Sequence, residues 1–165
     1  MTDFEALIRL LAGNGVEFIM VGGAAATAHG SARLTQDLDI VYRRSLENIA
    51  RLAACLTPYH PYLRGAPPGL PFRLDSETIE RGLNFTLTTD LGSLDLFGEI
   101  IGGGGYENLE HDTVDLALFG VTCRCLGLKR LIEVKRAAGR PRDLEAIAEL
   151  EALLDERDGQ GPARS

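Results

Sequence analysis

The sequence has no long apolar run, few cysteines and a deficit of positive charge, and each shortage removes a class of protein. Nothing in it approaches the roughly 18 consecutive apolar residues of a membrane span. The opening Met1-Thr2-Asp3-Phe4-Glu5 lacks the basic start of a signal peptide. The three cysteines, Cys55, Cys123 and Cys125, are an odd set without framework spacing, which argues against a disulfide-stapled secreted domain and suits a reducing, cytoplasmic compartment. No second cysteine pair or nearby histidine joins Cys123 and Cys125 in a tetrahedral zinc site. With 17 basic against 24 acidic residues, a formal charge of -7, the chain is ill suited to nonspecific attraction to nucleic acid. Gly102 to Gly105 is not followed by Lys-Ser or Lys-Thr, so it is no P-loop, and Gly22-Gly23 lacks the spacing of a dinucleotide fingerprint.

What is present reads as one domain over residues 1–158, with 159–165 expected to be a disordered tail. The 165 residues are 45% hydrophobic, enough for a sizeable core, and carry no internal repeat. Thr2 and Glu5 form a capping-box pattern ahead of Phe4, Leu7, Ile8 and Leu11, which predicts an amphipathic helix ending at Gly13-Asn14-Gly15. Val16 to Val21 reads as a buried strand running into Gly22-Gly23, and Ala24 to His29 as a short helix. Asp37 to Tyr42 alternates polar and apolar residues as a second strand, and Ser45 can cap a helix reaching Leu56. Thr57 to Phe72 holds five of the seven prolines and is expected to be an extended loop. Leu83 to Thr88 and Ser93 to Phe97 flank Asp90-Leu91-Gly92 as a hairpin. Gly102 to Gly105 reads as a flexible connection. Val114 to Phe119 and Val121 to Leu126 form a second strand pair, and helices follow over Leu128 to Ala138 and Arg142 to Arg157, with Pro141 at a helix start.

Chemistry concentrates in the order strand, Gly22-Gly23, short helix, Asp37-Leu38-Asp39 on a strand, then Leu94-Asp95-Leu96. Two aspartates at i and i+2 of a strand share a face. Hard cations take oxygen ligands, and Mg²⁺ is commonly held by one or two carboxylates while substrate phosphates complete its shell. Glycines without side chains let the backbone approach a triphosphate, and the helix that follows presents N–H groups to it; Ser31 or Thr27 can add a hydroxyl. Alone, Gly-Gly is more often a tight turn and Asp-x-Asp a solvated edge; together with Asp95 the balance reverses. A glycosidase is disfavoured, because i, i+2 neighbours do not flank a scissile bond from opposite faces. His29 suits a helix end, and Arg33 suits either a phosphate contact or a partner of the aspartates. Lys129, Arg130, Lys135 and Arg136 do not share one helix face, so they cannot all meet one phosphate; Lys135 is the functional candidate, and the arginines equally suit the helix dipole.

Val21-Gly22-Gly23, thirteen intervening residues, Asp37-Leu38-Asp39-Ile40 and the later Leu94-Asp95-Leu96 resemble the three-carboxylate signature of the nucleotidyltransferase superfamily. Gly22-Gly23-Ala24, His29-Gly30, Arg33, Thr35, Leu131-Ile132, Lys135, Gly139-Arg140-Pro141 and Asp143-Leu144 are similar to bacterial minimal nucleotidyltransferases related to the AbiEii toxins. The resemblance implies an α/β (α+β) fold, a mixed β-sheet flanked by helices, with the acidic cluster at a sheet edge. It implies transfer of a nucleoside monophosphate from an NTP to a hydroxyl acceptor (tRNA, protein or small molecule), with Mg²⁺ on Asp37, Asp39 and Asp95 and an antitoxin protein as one further partner. It also implies that Gly22 and Gly23 bind phosphate, that Asp95 takes the acceptor proton, and that Lys135 and Lys129 approach the triphosphate. Where many active members have Gly-Ser, this chain has Gly-Gly-Ala and lacks that hydroxyl. The alternative implied is a non-catalytic member that binds nucleotide or a protein partner.

Overall fold

The computed structural model describes residues 1–159, so the expected tail lies, beyond Gly159, outside the described residues. In chain order the elements are α1 (Phe4–Gly13), β1 (Phe18–Val21), α2 (Gly22–Ala28), β2 (Asp37–Tyr42), α3 (Leu46–Leu56), β3 (Tyr62–Leu63), α4 (Ser76–Arg81), β4 (Phe85–Thr89), β5 (Gly92–Phe97), α5 (Tyr106–Leu109), β6 (Thr113–Leu118), β7 (Val121–Leu126), α6 (Leu128–Ala138) and α7 (Pro141–Gly159). The strands form one seven-stranded sheet in the order β3-β4-β5-β2-β1-β7-β6. The two hairpins and the β1–β2 pair are antiparallel, whereas β1–β7 and β2–β5 are parallel. The sheet is therefore mixed, as the resemblance implies, but the strands that carry the aspartates, β2 and β5, lie inside it and not at its edge, because β4 and β3 extend it beyond β5.

All four residues of β1 are buried, the pattern of a strand covered on both faces. Burial alternates over residues 37–40 of β2 and 93–97 of β5: Leu38, Ile40, Leu94 and Leu96 have no exposed surface and line one face. Each contributes roughly 2 kcal/mol to the core. Alternation then sends Asp37, Asp39 and Asp95 to the other face. Among the described residues no helix is long and apolar enough to cross a membrane.

Polar side chains fix how the strands meet. Ser45 caps α3 as expected, accepting a hydrogen bond from the Asn48 N–H. The buried Asn48 amide accepts from the Glu17 N–H (2.6 Å) and donates to the carbonyls of Glu17 (2.9 Å) and Arg43 (2.8 Å), tying the chain just before β1 to the chain just after β2. Asn48→Ala strands three backbone groups and is expected to lower stability by about 2 kcal/mol, roughly 5 °C in Tm by thermal melting.

Several boundaries differ from the sequence-based expectation. Asp3, not Thr2, caps α1, accepting from the Ala6 N–H. The Thr2 hydroxyl instead donates to the Gln36 carbonyl and accepts from the Ser93 N–H at 3.0 Å, fastening the N-terminus to the chain entering β2 and β5. A long-range partner has won over a local cap. Helix α2 begins at Gly22 rather than Ala24 and leaves His29 as its cap, and β1 begins at Phe18 rather than Val16. The proline-rich stretch is not wholly loop: a 3-10 turn covers Thr57–Tyr59, and β3 pairs with β4. Helix α4 was not anticipated; Asp75 caps it and its one buried residue is Ile79, too little to give a helical period. Gly102 to Gly105 belongs to a hydrogen-bonded turn, with the Ile100 N–H donating to the Gly104 carbonyl at 2.9 Å. Phe119 lies past β6 with φ +53°, in the turn before Gly120.

Candidate active site

Strand pairing, not sequence proximity, assembles the acidic face. The parallel β2–β5 ladder sets Asp39 opposite Asp95 and Asp37 opposite Ser93. On its other side Asp39 faces Val21, the last residue of β1. The chain therefore leaves β1 into Gly22 directly above the Asp39 carboxylate. Gly22 has φ +62°, and a Cβ there would collide with that carboxylate; a Cβ on Gly23 would lie 2.7 Å from the Thr35 Oγ1. Both glycines are needed for close approach.

The Asp39 carboxylate is strongly perturbed. Burial, the neighbouring Asp95 and then Asp37 push its pKa up from 3.8 to about 7, against the opposing pull of Lys135. Its Oδ1 is buried with no hydrogen-bond partner. Between these two pKa values the folded chain holds a proton that the unfolded chain has released, so this group's contribution to stability declines as pH rises through that window. In chelator, Asp39→Asn is therefore expected to melt roughly 5 °C above wild type at pH 8, about 2 kcal/mol, and close to it at pH 4. A constant difference across that range would refute the assignment.

Beside the carboxylates lies a polar cavity of about 350 Å³, whose wall includes Arg33, Lys135, Arg140 and Arg142. Lys135 projects from the last turn of α6, where burial pulls its pKa down; Asp143 and Asp39 pull the other way, and Arg140 adds to the fall. Gly139, at φ +66°, ends α6 and turns the chain so that Arg140 reaches the same cavity. Asp143, 3% exposed, accepts from the Arg140 Nε at 2.7 Å and fixes it there. A second cavity of about 300 Å³, largely apolar and walled partly by Phe97, Ile100, Leu131 and Val134, adjoins the first at Gly22, Asp39 and Lys135.

The other residues predicted from sequence separate into groups. Ser31 lines the polar cavity, but its hydroxyl donates to Glu149 of α7 and it accepts from the Arg33 N–H at 3.2 Å. Arg33 lies 3.7 Å from Glu145, both exposed. Lys129 is exposed on a separate concavity between α6 and α7, shared with Arg136, and Thr27 lines an apolar depression beside Phe4 and Leu118. Neither borders the carboxylates. His29 is buried: its Nδ1 accepts from Arg157 at 2.8 Å, which leaves Nε2 to donate to the Leu126 carbonyl at 2.8 Å. Burial lowers its pKa, as a neutral tautomer locking α2 to β7 and α7 requires. The three cysteines are buried free thiols, with Cys125 pushed up to about 12 by burial first and by neighbouring Cys123.

Arg64 is the site residue that sequence reasoning missed. From the end of β3 it donates to the Asp95 Oδ1 at 2.8 Å and the Leu87 carbonyl at 2.6 Å, with Asp37 3.8 Å away. It sits in a stretch read as loop, where no period signalled its direction. The Arg140–Asp143 lock was also missed; its signal was an Arg three residues before an Asp across Pro141, at a helix start.

Among the described residues, no three Asp, Glu, His or Cys side chains are gathered tightly enough to hold an ion unaided. Mg²⁺ does not require that: one or two carboxylates with substrate phosphates suffice. The unpartnered Asp39 Oδ1, the aligned Asp95 and the hard-oxygen chemistry of the set fit such an ion, with Asp37 at the rim. When bound it would supply charge neutralisation at phosphate oxygens.

Comparison with protein-family models and with curated protein sequences gives no match. Solved structures do match. The lincosamide antibiotic adenylyltransferase LnuA, with lincomycin bound, superposes with a TM-score of 0.61 over 93% of this chain and 98% of its own, at 15% identity. TM1012 of Thermotoga maritima, described as a candidate nucleotidyltransferase, gives 0.52 over 94% and 96%, at 13% identity. This chain has the nucleotidyltransferase fold.

Proposed function

We propose that the chain is a Mg²⁺-dependent nucleotidyltransferase: an acceptor hydroxyl oxygen bonds to the α-phosphorus of an NTP, the bond to the bridging oxygen breaks, and pyrophosphate leaves. The observation that carries this is the alignment of Asp39 with Asp95 beneath Gly22, at the rim of a cavity lined by four cationic side chains. Asp39 and Asp95, with Asp37, would hold the ion, while Gly22 and Gly23 give the phosphates room and Lys135 and Arg140 neutralise their charge. Asp95 takes the acceptor proton. The acceptor is a small hydroxylated molecule: the apolar cavity of about 300 Å³ meets Asp39, the net charge of -7 disfavours tRNA, and LnuA is a lincosamide adenylyltransferase. The resemblance of Gly22-Gly23-Ala24, Arg33 and Lys135 to AbiEii-related proteins supports a toxin role with an antitoxin partner, checked by growth arrest on expression and relief by the neighbouring reading frame.

The test is incubation with each NTP labelled at the α-phosphate, Mg²⁺ and an acceptor panel of lincosamides, total tRNA and cell protein. Label on an acceptor with matching pyrophosphate release is the expected result; no Mg²⁺-dependent release with any NTP overturns the reading. A second reading, a nucleotide- or partner-binding chain without turnover, is favoured by the hold of Arg64 on Asp95 and by the missing Gly-Ser hydroxyl. Calorimetric NTP binding without pyrophosphate release would select it.

A further inference from the structure

A cation already sits on the carboxylates assigned to the metal. The Arg64 N–H donates to the Thr86 carbonyl at 2.9 Å, extending the β3–β4 ladder by one step. Thr86 pairs with Asp95, and Asp95 with Asp39. Arg64, Thr86, Asp95 and Asp39 thus form a single row across four adjacent strands. Neighbouring strands are about 4.8 Å apart, so a side chain as long as arginine reaches over the short Thr86 to Asp95. The guanidinium meets Asp95 and lies near Asp37, the two flanking aspartates, and leaves the Asp39 Oδ1 between them without a partner. Its own Nε is buried and unpartnered, so the cation is held by its tip alone.

We propose that Arg64 is a built-in counter-ion of the acidic site, which a divalent cation must displace before it can bind. The proposal rests on the reading of Asp39 and Asp95 as metal ligands. Mg²⁺ needs oxygen lone pairs at about 2.0–2.1 Å in near-octahedral array. A guanidinium proton on the Asp95 Oδ1 blocks one of those lone pairs, and a second positive charge a few Å from the ion repels it. The two cations are therefore alternatives, and metal loading carries the cost of breaking the Arg64 contacts. The exit is short: Gly65, at φ +82°, follows directly, and the chain beyond it through Gly69 is largely exposed. An Arg64 that merely positioned Asp95 for the metal would have the opposite consequence on removal, and this separates the two roles.

Mn²⁺ is the probe, titrated without nucleotide into the full chain and followed by the paramagnetic signal of the free ion. Arg64→Ala and the bulkier Arg64→Met are expected to bind Mn²⁺ about tenfold more tightly than wild type, as befits loss of one charge-assisted hydrogen bond from the competing state. Arg64→Lys, a compact cation without the fork, should fall between. Melting in chelator and in Mn²⁺ checks folding: the ion should raise the Tm of Arg64→Ala and Arg64→Met more than that of wild type. If the two uncharged variants fail to fold, tighter binding by Arg64→Lys alone decides for the proposal. Equal or weaker binding by the folded variants, with wild type binding Mn²⁺, overturns the counter-ion role and leaves the metal site standing. Failure of every protein to bind Mn²⁺, both alone and with a saturating non-hydrolysable NTP, overturns both.

Discussion

Replacing Asp39 with alanine is expected to lower Mg²⁺-dependent nucleotidyl transfer at least about a thousandfold, equivalent to about 4 kcal/mol of transition-state stabilisation, without weakening the metal-free fold. The two halves of this result have one origin. Asp39 is flanked by Asp95 along the ladder and by Asp37 two residues before it, and its Oδ1 has no partner. A carboxylate so placed costs the metal-free protein stability, since burial and two like charges oppose its ionisation. Such a group gains only when a cation arrives. Deleting it thus removes a buried carboxylate proposed to hold the ion while relieving like-charge repulsion at the site. Asp37, 44% exposed at its side chain and at the rim, should lose less on the same change. Initial rates with labelled NTP and melting curves in chelator check both halves together. Transfer by Asp39→Ala within tenfold of wild type would sink the assignment, and a large fall in its apo Tm would reduce the effect to misfolding.

The acidic pair was legible because it is local. Asp37 and Asp39 share a face through strand alternation alone, and Leu38 and Ile40 supply the buried face that fixes the register. The glycines were legible as a turn that a side chain would obstruct, and their contact with Asp39 and Thr35 shows what is obstructed. Asp95 was legible on the second arm of a hairpin, but its alignment with Asp39 came from a parallel pairing between strands about 55 residues apart, which no local period encodes. Arg64 is the extreme case. Its neighbours Pro61, Gly65, Pro67 and Pro68 read as loop, and its direction depends on a two-residue edge strand finding β4. The Thr2 expectation failed for a related reason: a local capping rule cannot weigh a hydrogen bond to Gln36 or Ser93. The cations sorted by turn geometry as well. Lys135 and Arg140 converge because Gly139 reverses the chain between them, while Lys129, one and two-thirds turns earlier on α6, goes to another face.

Gly22→Ala is expected to reduce transfer about a hundredfold and to destabilise the fold by roughly 3 kcal/mol, because one methyl meets two obstacles. At φ +62° any Cβ is strained, by about 1–2 kcal/mol. The methyl would also collide with the Asp39 carboxylate, and Asp39 has little room to retreat: its backbone is paired to Val21 on one side and Asp95 on the other. The side chain must rotate away, taking with it the oxygen assigned to the ion. Gly23→Ala makes a useful contrast, since its methyl meets Thr35, which lies outside any strand and can shift. Its effect should be at least tenfold smaller on transfer. A double-mutant cycle separates strain from collision. In the Asp39→Ala background the two nearest obstacles, the Asp39 Oδ2 and Cγ, are gone and the Cβ at position 39 lies 3.1 Å from the new methyl, so the collision with the carboxylate disappears while the strain stays. The stability cost of Gly22→Ala should then fall to about 1–2 kcal/mol, leaving a coupling of about 1 kcal/mol or more between the two positions, measurable by denaturant titration. Additive costs would mean that Gly22 is required by the turn alone and that its closeness to Asp39 is incidental to the chemistry.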